Sequence, residues 1–147
     1  GVESGSPELV KYMRKGATLD DVRAAAEMLN SSGVSWSAYF MLGVPAETAE
    51  TMEQTHRFMQ EINPPFISLS KYTPMAGSRM FNEVVNAGLL DPDNTDWTWA
   101  LNQSLERVFV TKMDPDVFRD KMSAIGEYVR DHNAYRGNED KRLKVNP

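Results

Sequence analysis

The pattern of apolar and polar positions predicts alternating strands and helices over residues 1–87. Val2 reads as the end of a strand, and Ser6 followed by Pro7 is typical of a helix start. We expect that short helix to stop at Gly16, which tolerates a left-handed backbone. A second helix is predicted after Thr18, which precedes an acid at capping-box spacing. Its apolar residues recur at helical spacing: Leu19, Val22, Ala26 and Leu29.

Two further strand–helix pairs complete this region. Residues 34–42 and 66–73 are rich in bulky side chains and predict strands, the first of them covered on both faces. A helix capped by Thr48 is predicted to reach about residue 62, and a shorter one to span residues 79–87. Consecutive βα units imply parallel strands with right-handed crossovers. The predicted fold class is therefore α/β, with about three parallel strands from a barrel or a larger open sheet.

The remainder of the chain is predicted to be a helical C-terminal extension over residues 88–136. One helix is expected from about Trp97 to Val110, and a longer one is expected to begin at Pro115 with Asp114 as its cap. The apolar stripe of the longer helix comprises Val117, Phe118, Met122, Ile125, Tyr128 and Val129. Residues 137–147 have little to bury and predict a flexible tail.

The composition argues against several classes of function, including nucleic-acid binding and cysteine-based metal sites. The 147 residues suffice for one domain, and a net charge of -5 argues against nucleic acid as the main partner. The absence of cysteine removes disulfides, cysteine-bound zinc and cysteine-bound iron–sulfur clusters from this chain. No apolar run approaches the roughly 20 residues of a membrane span, and we expect a cytoplasmic location. Because the chain does not begin with Met, we expect it to be a segment of a longer polypeptide.

Three segments follow the predicted strands, where parallel α/β folds bind ligands: "ESGS", "GVPAET" and "YTPMAGS". Their small residues are expected to let a ligand approach the backbone. The carboxylate of Glu3 can accept two hydroxyl hydrogen bonds, which suits a ribose diol; alternatively it complements the dipole of the next helix. Lys15 either complements the C-terminal end of the first helix or faces a ligand carboxylate.

Other polar residues have simpler interpretations. Lys71 lies inside an apolar strand, and it needs a partner if it points inward. His56 and His132 lack neighbours at metal-ligand spacing and are interpreted as structural, so no metal ligand is assigned. A further hypothesis makes Glu3 and Glu47 an acid–base pair of a complete small enzyme. Another is a non-catalytic α/β module that binds a nucleotide or a partner protein.

Three motifs in this order resemble the second half of a radical S-adenosylmethionine (radical SAM) domain. They are "GVESGSPELVKYMRKGATLDDV", "YFMLGVPAET" and "YTPMAGSRMF", and the resemblance covers about residues 1–87. The nearest subgroup is the cobalamin-dependent one, which includes anaerobic magnesium-protoporphyrin monomethyl ester cyclase-like proteins. The resemblance implies the C-terminal half of a partial (β/α)6 barrel, in an enzyme that cleaves SAM reductively at a [4Fe-4S] cluster for radical or methyl-transfer chemistry.

The same resemblance implies cofactors and partners. The CxxxCxxC loop that binds the cluster would lie upstream of Gly1, and any cobalamin-binding domain further upstream. The expected partners are therefore SAM and the missing N-terminal half of the same polypeptide, with no nucleic acid or membrane. The isolated chain is expected to be inactive.

The resemblance assigns SAM binding to Glu3, Ser4, Lys15, Tyr39, Met41, Gly43, Ser70 and Tyr72. Glu3 matches the position that holds the SAM ribose, and Lys15 matches a basic position that faces the SAM carboxylate. Met41 occupies the apolar position beside the adenine, on the segment that ends at Gly43. Two departures are Tyr39, where some relatives have an acid that contacts SAM, and Ala46, which replaces a common glycine.

Overall fold

The computed structural model describes residues 1–95, 97 and 105–145, with side chains described as far as residue 136. The described residues form two strands and five helices, and the predicted α/β class is confirmed. In chain order the elements are α1 (Pro7–Tyr12), α2 (Leu19–Ser31), β1 (Ser37–Leu42), α3 (Ala49–Ile62), β2 (Phe66–Lys71), α4 (Arg79–Asn86) and α5 (Pro115–Val145).

The sheet is parallel, as predicted. Strand β1 pairs with β2 in a register that places Ser37 opposite Phe66 and Leu42 opposite Lys71. The predicted first strand is reduced to one parallel bridge between Glu3 and Phe40 on the other edge of β1. Glu3 has a φ of 69°, so the backbone leaves the strand direction at that residue. The order across the sheet is therefore Glu3, β1, β2.

Burial alternates along β1 because helices cover one face of the sheet. Ala38, Phe40 and Leu42 are buried in a core cluster that they share with residues of α2, α3 and α5. Tyr39, on the opposite face, is 56% exposed. The prediction that β1 is covered on both faces is therefore wrong at Tyr39, whereas Met41 on the same face is partly buried against a second core cluster.

Side-chain caps explain most helix boundaries. The predicted capping box of Thr18 and Asp21 is present at the start of α2, and Thr48 accepts a hydrogen bond from the Thr51 N–H at the start of α3. Asn63, with a φ of 41°, ends α3 in the left-handed conformation.

Helix α1 ends earlier than predicted. The N–H of Arg14 bonds to the Lys11 carbonyl and that of Lys15 to the Val10 carbonyl, which is the pattern of a Schellman motif. Arg14, with a φ of 56°, occupies the left-handed position that usually holds glycine. The prediction that Gly16 stops the helix is therefore wrong by two residues, because an arginine accepts the strained conformation.

The segment before α5 differs from its predicted helix. Residues 105–110 are not helical, and most of the rest of the segment, including Trp99, lies outside the described residues. Neighbouring residues of this segment enter different cores: Phe109 joins the cluster that contains Leu9 and Tyr72, whereas Val110 joins the cluster beneath the sheet. Side chains that point to opposite sides at adjacent positions require an extended backbone.

Helix α5 begins as predicted and ends later. Asp114 Oδ1 accepts hydrogen bonds from the N–H groups of Asp116 and Val117, so it caps the helix. Of the predicted stripe, Phe118, Ile125 and Val129 are buried and Met122 and Tyr128 partly so, but Val117 is exposed. The backbone stays helical to Val145, so the predicted end near residue 137 is wrong. Lys, Arg, Glu and Leu there are good helix formers, and no proline interrupts them.

The small residues after Glu3 contact α3 rather than an open cleft. Ser4 and Ser6 are fully buried, and the Gly5 N–H donates to the Thr55 hydroxyl at 3.1 Å. A Cβ atom on Gly5 would lie 2.3 Å from Phe58 Cβ and 2.8 Å from Thr55 Cα. Gly5 is therefore required for the close approach of α3 to the strand end.

We predict that Gly5→Ala lowers the free energy of unfolding by about 1–3 kcal/mol, because the added methyl group forces α3 away. Gly126→Ala is the matched control, since its Cβ would meet only Arg130 Nη1 at 3.7 Å and alanine favours a helix. Urea denaturation of both variants measures the effect. A Gly5→Ala variant as stable as the control would contradict this packing.

Candidate functional site

An ion pair lies beside the sheet edge at the carboxyl end of the strands. Glu3 Oε1 accepts a hydrogen bond from Lys15 Nζ at 2.9 Å, and both side chains are about one-third exposed. The Glu3 backbone is held by β1, because its N–H donates to the Tyr39 carbonyl and its own carbonyl accepts from the Met41 N–H at 2.8 Å. The acid in the first turn of α1 is Glu8, so the interpretation of Glu3 as a first-turn dipole acid is wrong.

The sheet face opposite the first core cluster contains further predicted residues, and Met41 on this face packs against the second core cluster. The register places Met41 directly opposite Ser70 and Tyr39 opposite Ser68. Because successive side chains alternate, Tyr39, Met41 and Ser70 share one face. Tyr39 and Ser70 are exposed there, and Met41 is half-buried. Strand pairing thus places an aromatic, a thioether and a hydroxyl group on one face, while Glu3 lies at the edge of β1 and pairs with Phe40.

The turn after β1 is fixed by a buried carboxylate. Gly43, with a φ of 90°, donates its N–H to Glu47 Oε2 at 3.0 Å. Glu47 Oε1 accepts from the Thr51 hydroxyl at 2.5 Å, and the side chain of Glu47 is fully buried. Burial raises the pKa of Glu47 to about 7, against the opposing effect of these two hydrogen bonds.

The geometry of this turn bears on two predictions, the role of Gly43 and the acid–base pair of Glu3 and Glu47. Gly43 is needed for the turn, since a Cβ there would lie 2.8 Å from Phe118 Cζ and the backbone is left-handed. Glu47 has both oxygens bound within the protein, so it does not face a substrate together with Glu3. The hypothesis of a Glu3–Glu47 acid–base pair is therefore not supported by the structure.

Two predicted residues have side chains that are buried within the protein. Ser4 Oγ hydrogen-bonds Thr55 Oγ1 at 2.9 Å and accepts from the Ser6 N–H at 3.0 Å. Tyr72 is 4% exposed within the second core cluster, and burial raises its pKa to about 12. Both residues lie near the site through their backbones, and the Tyr72 N–H donates to the Leu42 carbonyl at 2.7 Å.

Sequence reasoning missed a cluster that ties α4 to α1. The guanidinium of Arg79 lies 4.3 Å from the centre of the Tyr12 ring and donates to the Tyr12 carbonyl. Arg79 also pairs with Glu83, whose other oxygen accepts from the Tyr12 hydroxyl. Burial and Glu83 raise the pKa of Tyr12. Tyr12 lies 67 positions from Arg79 and 71 from Glu83, so no local pattern in the sequence reveals its place in the cluster.

The remaining polar candidates have structural contacts. Lys71 is buried on the helix side and donates to the Arg107 carbonyl at 2.8 Å, and burial lowers its pKa. His132 Nε2 lies 2.8 Å from the Pro64 carbonyl, while the His56 ring packs 4.7 Å from that of Tyr128. Within the described part of the chain, no group of three potential ligands could hold a metal ion. None of the helices described there is long and apolar enough to span a membrane.

Comparisons with known proteins identify the class of enzyme that the chain resembles. No family model matches the chain. Its curated relatives include radical SAM enzymes, so the chain contains a region similar to that family and the resemblance seen in the motifs is confirmed.

Two relatives illustrate the similarity. An anaerobic magnesium-protoporphyrin IX monomethyl ester cyclase of Rubrivivax gelatinosus is 30% identical over 84 residues, which is 57% of this chain and 15% of the relative. A probable threonylcarbamoyladenosine tRNA methylthiotransferase of Methanothermobacter thermautotrophicus is 33% identical over 87 residues, or 56% of this chain and 20% of the relative. The matches thus span a fifth or less of the length of these relatives.

We predict that Glu47 makes the protein less stable as pH rises. Its folded pKa of about 7 exceeds the ordinary value of 4.5, so the folded state holds a proton that the unfolded state releases between these values. Stability from this group is full below pH 4.5 and falls by about 3 kcal/mol up to pH 8. Glu47→Gln cannot titrate and should lose this dependence.

Urea denaturation at pH 5 and pH 8 measures the free energy of unfolding of the wild type and of Glu47→Gln. Burial lowers the pKa of His56, which gives the opposite slope, but that contribution is common to both proteins and cancels in their difference. Parallel pH profiles for wild type and Glu47→Gln would show that the carboxyl group does not titrate in this range.

Proposed function

We propose that this chain is the C-terminal half of a radical SAM barrel and that it supplies SAM-binding residues to a larger enzyme. The observation that supports this most is the Glu3–Lys15 ion pair, held at the edge of the sheet where Glu3 pairs with β1. The similarity to a cyclase and to methylthiotransferases of the radical SAM class adds independent support.

The residues at this place fit SAM chemically. Glu3 has a partly exposed carboxylate that can accept hydrogen bonds from two ribose hydroxyls. Lys15 has donors for a carboxylate besides the one that it gives to Glu3. Met41 offers a polarizable apolar contact for the adenine, with Ser70 across the strand pair and Tyr39 exposed along the same face. We assign no side-chain role in binding to Ser4 or Tyr72, because both are buried elsewhere.

The other cofactors belong outside this chain in our proposal. The chain has no cysteine, so the ligands of a [4Fe-4S] cluster would come from the N-terminal half of the same polypeptide. In the whole enzyme, SAM and the cluster supply radical chemistry, and the residues of this chain bind and orient SAM. We propose the same arrangement for cobalamin, in a separate upstream domain of a cytoplasmic enzyme.

We predict that the purified chain binds SAM weakly, because the cluster-binding half is missing, and that Glu3→Gln lowers this affinity at least roughly tenfold. Hydrogen bonds to a charged group contribute about 1.5–3 kcal/mol, and about 1.4 kcal/mol corresponds to tenfold in affinity. Calorimetric titration measures the affinity of the wild type and of Glu3→Gln for SAM. Glu8→Gln is the matched control, because Glu8 is an exposed acid of α1 away from the ion pair.

The outcomes separate the alternatives. Equal affinity for SAM in wild type and Glu3→Gln would remove Glu3 from the site. Binding of adenosine and other nucleosides with no preference for SAM would favour a non-catalytic nucleotide-binding module. Absence of binding would contradict the prediction that this half of the barrel binds SAM by itself.

We also predict that the chain alone does not cleave SAM under anaerobic reducing conditions, because it has no cysteine ligand for a cluster. The measurement is the formation of 5′-deoxyadenosine, detected by liquid chromatography with mass spectrometry. A radical SAM enzyme with its own cluster serves as the positive control. Product formation by this chain would show that it is not the half that we propose.

A further inference from the structure

At Ile67, the outer edge of β2 is closed by one side chain of α5. Asn133 Oδ1 accepts a hydrogen bond from the Ile67 N–H at 2.9 Å, and Asn133 Nδ2 donates to the Ile67 carbonyl at 2.9 Å. The side-chain amide of Asn133 therefore satisfies both backbone groups of one strand residue. An added β-strand would offer the same donor and acceptor pair.

The register shows which way these groups point. Ile67 lies opposite Ala38 in the parallel ladder. In such a ladder a residue directs its N–H and carbonyl to the same side, alternately toward one neighbouring strand and the other. Because both groups of Ile67 bind Asn133, they face away from β1. Asn133 thus occupies the position of the next strand.

Helix α5 holds Asn133 firmly at this edge. One residue earlier, His132 Nε2 lies 2.8 Å from the carbonyl of Pro64, just before β2. One turn earlier, Val129 is buried in the core beneath the sheet, and Ile125 is buried a further turn away. The two buried side chains, Val129 and Ile125, fix the rotation of the helix, so the amide of Asn133 is presented to Ile67 rather than to solvent.

The protected strand is one that needs protection. Free backbone groups at a sheet edge are a template for another chain, above all beside apolar side chains. Phe66, next to Ile67, is 49% exposed, and the strand sequence "FISLSK" has one charge. If this edge were uncovered, we would therefore expect it to pair with β2 of a second copy of the same chain.

We propose that Asn133 is an edge cap that prevents strand addition to β2, and that removing it lets β2 of one copy pair with β2 of another. The inference is independent of SAM binding, since it rests on the contacts of α5 and β2 alone. It also leaves the Glu3 side of β1 as the edge from which the described sheet can be extended.

The test compares Asn133→Ala with His132→Ala. The first variant uncovers both groups of Ile67, whereas the second removes the neighbouring contact to Pro64 and leaves the cap in place. We expect Asn133→Ala to exchange the Ile67 amide hydrogen at least tenfold faster in dilute solution. We also expect it to sediment as dimers or larger species as its concentration rises, while wild type and His132→Ala stay unchanged in both measurements.

Circular dichroism and urea denaturation show whether each variant is folded, so that aggregation of unfolded chains is recognised. Asn133→Asp supplies a second variant if alanine prevents folding. It keeps an acceptor for the Ile67 N–H and loses the donor to the carbonyl, so the amide should stay protected while self-association still rises. A folded Asn133→Ala protein with wild-type exchange at Ile67, or one that stays monomeric at every concentration, would overturn the proposal.

Discussion

The packing of α3 against the residues that follow Glu3 determines where every other part of the site can lie. The Thr55 hydroxyl bonds Ser4 Oγ, accepts from the Gly5 N–H and lies 2.9 Å from the Thr51 carbonyl. Gly5 permits this approach because it has no side chain. The strand end is thereby anchored to a helix that follows the next strand, and Glu3 is held at the sheet edge with its carboxylate directed to Lys15.

The two faces of the sheet consequently have different roles: one packs against helices, and the other carries the accessible side chains of the candidate site. On the helix side, apolar side chains and a buried lysine are fully occupied by contacts within the protein. On the other side, Tyr39 and Ser70 are exposed and are placed by backbone pairing, while Met41 packs against the second core cluster. The buried Glu47 stabilises the turn between these layers at the end of β1, so a titratable group is used there for position and not for reactivity.

Local patterns predicted the elements whose boundaries depend on their own residues, such as α3 with its Thr48 cap. They failed where tertiary contacts decide. Phe109 and Val110 are extended because two cores compete for neighbouring side chains. The family resemblance assigned both Glu3 and Lys15 to SAM but did not predict their ion pair. The inward turn of Ser4 toward α3 depends on a contact 51 residues away in the chain. No sequence periodicity contains that information.

The clusters that Phe109 and Val110 enter have a consequence for how the polypeptide acquires its structure. Each core draws residues from the first 87 positions and from the segment after residue 104. During synthesis, the β1–β2 unit leaves the ribosome with its helix-side core still lacking Phe118, Ile125 and Val129. These contacts join residues that are far apart in the sequence, so they form late in folding. The emerging chain therefore passes through a stage with exposed apolar surface, in which chaperones would find their binding sites.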